Sequence, residues 1–254
     1  MIELITSMTS SYDQYANFVG EICALNDLSF FKAHKDFVYM LEHVTPDQGQ
    51  EYLDVILRVT HLSEKDIKEF CELNDSLGRP RTGTYSFGTV SPTNLRYIFQ
   101  AHLILTHIYN HSLKNPDIVE LGGGYGGLCL AIHFFAPRYL DTNFTYSIID
   151  LPNIINLQEK YLAKVSPGLK VSFYPSTKFG AEVPLQNAFL ISNYCFSEIC
   201  LEYQKEYIKT LFPKVSHGFM VWNAIPLYNF GFPVVEVDEY PCTAENPKNK
   251  YVYF

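Results

Sequence analysis

The residues most suited to chemistry cluster around Gly122-Gly123-Gly124-Tyr125-Gly126-Gly127, where glycines at 122, 124 and 127 have the G-x-G-x-x-G spacing. Glycine is required there because the turn is tight and a ligand must approach the backbone closely. The spacing alone is shared by proteins that bind NAD, FAD or S-adenosylmethionine. Two carboxylates sharpen it. Glu120 stands two residues before the first glycine. An acid there would repel a pyrophosphate, which a helix N-terminus otherwise attracts, but it suits a cationic sulfonium ligand carrying an ammonium group. A solvated strand end is the alternative for Glu120. Asp150 closes the run Tyr146-Ser147-Ile148-Ile149-Asp150, where an acid can accept hydrogen bonds from both ribose hydroxyls of an adenosine. Because Leu151-Pro152 follows at once, a helix-capping role stays open for Asp150.

Further acid–base candidates lie downstream. Glu198 follows the apolar run 188–193 and so falls at the edge where ligands of open α/β sheets bind. It is the first candidate for a general base; the competing reading makes Ser197 a helix cap and Glu198 a first-turn acid that stabilises the helix dipole. Imidazole is the commonest general base, and among the histidines His102 is second choice because its helix would line the cleft. His107, His133 and His217 read as packing or surface residues. Arg79, Arg81, Tyr85, Arg96 and Tyr97 form a candidate lid and acceptor wall. Arg96 has two further readings, as a bidentate partner for a ligand carboxylate or as one half of a surface ion pair.

The elements that position these residues fall into two parts. Apolar residues at three- and four-residue spacing predict helices over 10–24, 28–43, 46–59 and 64–74. Thr45-Pro46 and Ser63-Glu64-Lys65-Asp66 have the form of helix starts. The stretch 74–88, rich in Gly, Arg and hydroxyls, reads as an irregular binding loop or lid. Ser91-Pro92 opens a further helix through Tyr109. From Asp117 the pattern alternates, with strands at 117–121, 144–150, 169–174, 188–193 and 215–222 and helices at 126–136, 153–165 and 198–212. Two final strands, 234–237 and 250–254, have no helix between them and should pair antiparallel across a Pro- and Asn-containing loop. Five parallel strands followed by a terminal hairpin predict an α/β, Rossmann-like seven-stranded methyltransferase sheet with an N-terminal helical cap. A dinucleotide oxidoreductase would complete a second parallel half instead. The expected division is a helical region and lid over 1–90 and a cofactor-binding domain over 91–254.

Composition sets outer bounds. The 254 residues are 47% hydrophobic and 18% charged, too apolar for disorder and long enough to bury a real core. A net charge of −8 without any Lys/Arg-rich run argues against a nucleic-acid partner. The six cysteines form no C-x-x-C pair, and no clustered Asp/Glu/His set supports a metal. No run approaches the roughly 20 apolar residues of a membrane helix, and Met1-Ile2-Glu3-Leu4 lacks a secretory leader's character. The expectation is a cytoplasmic protein without membrane insertion. The 19 Tyr and 19 Phe against one Trp suit a sugar-stacking surface or a packed core equally.

Four segments together resemble the sugar O-methyltransferase family of bacteria and large viruses: Val90-Ser91-Pro92-Thr93-Asn94-Leu95-Arg96-Tyr97, Val119-Glu120-Leu121 with the glycine loop, Ile149-Asp150-Leu151-Pro152, and Ile191-Ser192-Asn193-Tyr194-Cys195-Phe196-Ser197-Glu198. They span roughly the last two thirds of the chain, and the helical first third matches in general character only. The resemblance implies S-adenosyl-L-methionine as donor and a sugar hydroxyl as acceptor. It places Glu120, Gly122 and Gly124 at the methionine end, Asp150 at the ribose, and Asn193 at the ligand from the fourth strand's end, with Gly123, Leu151 and Tyr194 as further cofactor-binding candidates. Ser176 stands after the third strand, where many methyltransferases use an acid near adenine; Pro175-Ser176-Thr177 offers none. A similar module closes multidomain viral proteins that build and methylate rhamnose-containing glycans. This raises the expectation of an excised domain, fused to or associated with glycosyltransferase domains. A nicotinamide-dependent (NAD(P)) oxidoreductase and a non-catalytic Rossmann module scaffolding a glycosyltransferase are the rival readings.

Overall fold

The structure is a computed structural model that describes residues 3–140, 143–223, 225–244 and 248–254, with side chains from residue 13 onward. Helix α1 (Glu3–Leu25) is followed by a 3-10 turn (Phe31–Ala33) and the short α2 (Lys35–Met40). The single helix expected over 28–43 is therefore broken. His34 takes an extended backbone between the two pieces, and Phe31, Lys32 and Phe37 all point inward. Helices α3 (Pro46–Val59) and α4 (Glu64–Asp75) begin where the sequence places them. Thr45–Gln48 and Ser63–Asp66 each form a reciprocal capping box, which satisfies amide donors a helix start would leave open. The stretch expected to be irregular carries a small hairpin, β1 (Gly83–Tyr85) and β2 (Gly88–Val90), before α5 (Pro92–Asn110).

Alternation then sets in as expected: β3 (Asp117–Leu121), α6 (Gly127–Phe135), β4 (Thr145–Asp150), α7 (Pro152–Val165), β5 (Ser172–Pro175), β6 (Ala188–Asn193), α8 (Leu201–Thr210), β7 (Val215–Trp222), β8 (Val235–Asp238) and β9 (Lys250–Tyr253). Strand β5 starts three residues later than its apolar pattern suggests, because a turn through Gly168 at φ +95° delays it. The sheet order is β5-β4-β3-β6-β7-β9-β8. Strands β3 to β7 are parallel, and β9 runs antiparallel to both β7 and β8. This is the Rossmann-like seven-stranded sheet with an antiparallel terminal hairpin. The hairpin connection at residues 245–247 lies outside the described residues, as do Met1 and Ile2 of the amino-terminal reading.

Chain direction across the sheet reverses between β3 and β6, which opens a crevice at their carboxyl ends. One continuous apolar cluster joins α1 to α6 with α7 and one sheet face, so the helical cap shares its core with the sheet. A second cluster covers the other face with α8 and residues around Trp222 and Phe230.

The cap is fastened to the glycine loop by a buried polar network. Lys32 is fully buried, donates to the carbonyl of Asn74, and lies 4.4 Å and 4.8 Å from the ring centres of Tyr125 and Tyr161. Burial pushes its amine down to about 8, opposed by the charges of Glu42 and Asp75. The Asn74 side chain donates to Asn94 and, at 2.8 Å, to the Tyr125 hydroxyl, and accepts from Tyr161 at 2.7 Å. Asp75 receives the Ser91 amide (2.8 Å) and the Asn94 amide group (2.9 Å). Tyr125 sits inside the glycine loop, so α4, α5 and α7 all brace that loop through one asparagine. Asn74→Ala leaves several buried partners unsatisfied and should cost on the order of 2–4 kcal/mol, measured by urea unfolding. A loss below about 1 kcal/mol would show that the network does not hold the cap.

Candidate functional site

Most of the expected cofactor residues converge on the crevice. Gly122 and Gly124 have φ of +80° and +56°, and Gly126 has +96°. A β-carbon on Gly122 would collide with the side chain of Cys195. One on Gly123 would come within 3.3 Å of a Glu120 oxygen, and one on Gly124 would press on Leu41 at 3.3 Å. The loop is thus closed from below by Glu120, on one side by Cys195 and from above by the end of α2. Tyr97 is buried behind it, packed where a Gly127 side chain would lie, and so braces the loop rather than lining an acceptor wall.

Glu120 is buried, not a solvated strand end. Its Oε2 accepts from the Tyr146 hydroxyl at 2.8 Å. Burial pushes its carboxyl up to about 7 despite that bond, and the charge of Asp150 adds to the shift. Asp150 is half-buried, and burial raises it too to about 7, against the lowering effect of its hydrogen bonds. Those bonds come from the Leu151 amide (2.8 Å) and the Gln158 side chain (2.8 Å), with the amides of Gly123 and Gly124 acting in the same direction. Asp150 is therefore a brace for the glycine loop. The helix cap is Leu151, which makes no side-chain capping bond. Neither carboxylate has a Lys, Arg or His within salt-bridge distance among the described residues. The two acids beside the glycine loop are left without a compensating cation among the described residues.

The opposite imbalance exists at Arg96, which is buried on α5 and not at the surface. Its guanidinium donates to the Leu41 carbonyl (3.0 Å) and to His43 Nε2 (3.2 Å), stacks 5.2 Å from the Tyr194 ring centre, and leaves its Nε without a partner. It pairs with no carboxylate among the described residues. Facing a permanent cation, His43 Nε2 must be the acceptor, so that ring is neutral. His43 carried no motif and went unread in the sequence.

The end of β6 completes the crevice. Asn193 donates to Gln100 at 3.0 Å, while its Oδ1 is buried without a partner. Tyr194 adopts φ +55°, a conformation disfavoured for a bulky side chain, and its hydroxyl donates to the buried Glu239. Glu239 also accepts from Asn249 at 2.8 Å, which brings the terminal hairpin into the site. Only the tertiary contact reveals Glu239. Ser192 Oγ bridges the Leu121 carbonyl and the Phe196 amide, each at 3.0 Å, and shapes the turn that carries Glu198.

Glu198 lies in that turn and not in α8, whose cap is Cys200; the first-turn dipole reading does not hold. Its Oε1 accepts from Asn223 at the end of β7, and Ser197 also bonds Asn223. Glu198 thus stands at the carboxyl edge between β6 and β7. Ser176 follows β5, whose last residue Pro175 pairs in register with Asp150, and Leu151, next along the chain from Asp150, is 42% exposed.

Other expected site residues are elsewhere. His102 bonds the Tyr139 hydroxyl at 2.8 Å beyond the far end of α6, and burial lowers its pKa. A nine-residue helix is about 13 Å long, so His102 is remote from the glycine loop. Tyr85 is buried and donates to the Pro46 carbonyl, fastening the hairpin to α3. Arg79 is exposed over the Phe30 ring, and Arg81 is exposed on a separate cleft. Among the described residues no group of three or more His, Cys, Asp or Glu could hold a metal, and no helix is long and apolar enough to cross a membrane.

No family model matches the chain, and a search of curated proteins finds no match. Solved structures similar to it include an S-adenosylmethionine-dependent methyltransferase from Clostridium acetobutylicum ATCC 824, 15% identical over 57% of this chain and 58% of that one, TM-score 0.41. A SAM-dependent methyltransferase from Aquifex aeolicus is 13% identical over 76% of this chain and 97% of that one, TM-score 0.44. The chain spans 46% of LepI, solved in complex with SAM, at 12% identity over 59% of this chain and TM-score 0.42. At such low similarity the chemistry rests on the residues themselves.

The uncompensated acids make a stability prediction. Glu120 titrates near 7 in the fold against an ordinary 4.5, so the folded state holds that proton more tightly than the unfolded chain. Its stabilising contribution is full below 4.5 and is lost as pH rises through 7. The amount lost over that interval is about 3 kcal/mol. Glu120→Gln should flatten the fall in Tm between pH 5 and pH 8 measured by calorimetry; an unchanged slope would mean that Glu120 is not the titrating group.

Proposed function

We propose that this chain is an S-adenosylmethionine-dependent O-methyltransferase that transfers a methyl group to a sugar hydroxyl of a glycan or glycoside, a deoxyhexose such as rhamnose among them. The observation that carries the cofactor is the paired charge imbalance of the crevice. Two carboxylates without a cation, the buried Glu120 and the half-buried Asp150, face the glycine loop, and a buried guanidinium without a carboxylate, Arg96, lies under its roof. A ligand with sulfonium and ammonium charges at one place and a carboxylate at another balances both. A pyrophosphate would add negative charge beside the two acids, which counts against a nicotinamide cofactor. The sugar acceptor rests on the motif resemblance.

When bound, the cofactor supplies an electrophilic methyl group on sulfur. Asn193 Oδ1 and Arg96 Nε are the buried unpaired atoms available to orient it, and Asp150 and Leu151 would take its ribose and adenine side. Glu198, held by Asn223 at the carboxyl edge, is the base that accepts the acceptor hydroxyl's proton as the oxygen attacks in line.

Calorimetry should show binding of S-adenosylhomocysteine and none of NADH; the reverse would replace the reading by an oxidoreductase, and binding of neither would favour a scaffold. Because a cationic ligand favours ionised Glu120 and Asp150, S-adenosylmethionine affinity should rise about tenfold per linked group from pH 6 to pH 8. An affinity independent of pH would uncouple the acids from the ligand. Glu198→Gln should lower kcat by about a hundredfold, with cofactor affinity within about twofold. An unchanged kcat would remove Glu198 as base.

A further inference from the structure

Residues 41–45 form a strap between α2 and α3 with two sides. Leu41 turns to the glycine loop, while Glu42 and His43 line an open cleft of about 820 Å³ on the other side. Lys35 and Tyr39 of α2, Thr45 at the start of α3, and Arg81 close the cleft. Its volume falls in the range of small-molecule sites.

Three features point to one ligand chemistry. Glu42 is 5% exposed; one carboxylate oxygen accepts from Ser91 at 2.9 Å and the Thr93 hydroxyl faces the carboxylate, but Oε1 has no partner at hydrogen-bond distance. An unpaired buried carboxylate oxygen is costly unless a donor arrives, and a ligand hydroxyl is such a donor. At the rim, Lys35 and Arg81 are exposed and form no salt bridge among the described residues, although the chain carries a net charge of −8. Tyr39 is 70% exposed beside them, a flat apolar face suited to stacking on a sugar ring. The cleft also communicates with the crevice, since His43 bonds Arg96, whose other side stacks on Tyr194.

We propose that this cleft is a remote acceptor subsite for an anionic saccharide unit, with Glu42 reading a hydroxyl and Lys35 and Arg81 reading a phosphate or carboxylate. Its role as an acceptor subsite rests on the methyltransferase reading; its ligand chemistry does not. Binding of a unit distant from the methylated hydroxyl would align that hydroxyl and raise kcat/KM.

Saturation-transfer NMR on the full chain with glucose 6-phosphate, glucuronic acid and glucose tests it. At least one anionic sugar should bind about tenfold or more tightly than glucose, with Kd near the millimolar range. Glucose 6-phosphate alone assigns a phosphate, glucuronic acid alone a carboxylate. Arg81→Glu and Lys35→Glu, both at the surface, should each weaken the anionic sugar about tenfold and leave S-adenosylhomocysteine affinity unchanged. Equal binding of glucose, inorganic phosphate binding as tightly as glucose 6-phosphate, or indifference to both charge reversals would overturn the subsite. Failure of S-adenosylhomocysteine to bind the native chain would instead sink the cofactor reading while leaving the sugar result standing.

Discussion

The burial of Lys32 among Tyr125, Tyr161 and the Asn74 carbonyl is the constraint on which the rest of the molecule depends. A fully buried ammonium must be surrounded by acceptors and aromatic faces, and those can be assembled only when α4, α5, α7 and the glycine loop meet at one point. Asn74 shares its side chain among Asn94, Tyr125 and Tyr161, so a shift in any of these elements breaks several buried bonds at once. The glycine loop therefore does not rest on its own turn geometry alone; its shape is held by the cap.

That bracing permits the electrostatic arrangement of the crevice. A rigid loop can keep Glu120 and Asp150 near one another without a cation, at the cost of raised carboxyl pKa values. A softer loop would relieve the strain by exposing one acid to water. The same cap delivers Leu41 over Gly124 and presents its carbonyl to Arg96. Charge of one sign below the loop and of the other under the roof are both consequences of how the first third of the chain packs.

Much of this was legible in the residues. The alternation of apolar runs from 117 onward gave the strand sequence, and the absence of a helix between the last two strands gave the antiparallel hairpin seen in the sheet order. Both capping boxes were readable because a cap is a local bond between residues three apart. Boundaries moved where tertiary demands intervened: α2 is short because Lys32 and Phe37 must both face inward, and α8 starts at Leu201 because Ser192 and Asn223 hold the preceding turn.

The sequence by itself determined the period of each element, the turn that needs glycine and the acids beside it, since these follow from local sterics and from neighbours along the chain. Tertiary structure alone decided which polar groups face one another across distance. His43 meets Arg96 over 53 positions, Glu239 meets Tyr194 over 45, and His102, attractive as a base, is spent on Tyr139. Burial and unmatched charge are properties of an assembled environment. They emerge only when segments far apart in sequence exclude water together.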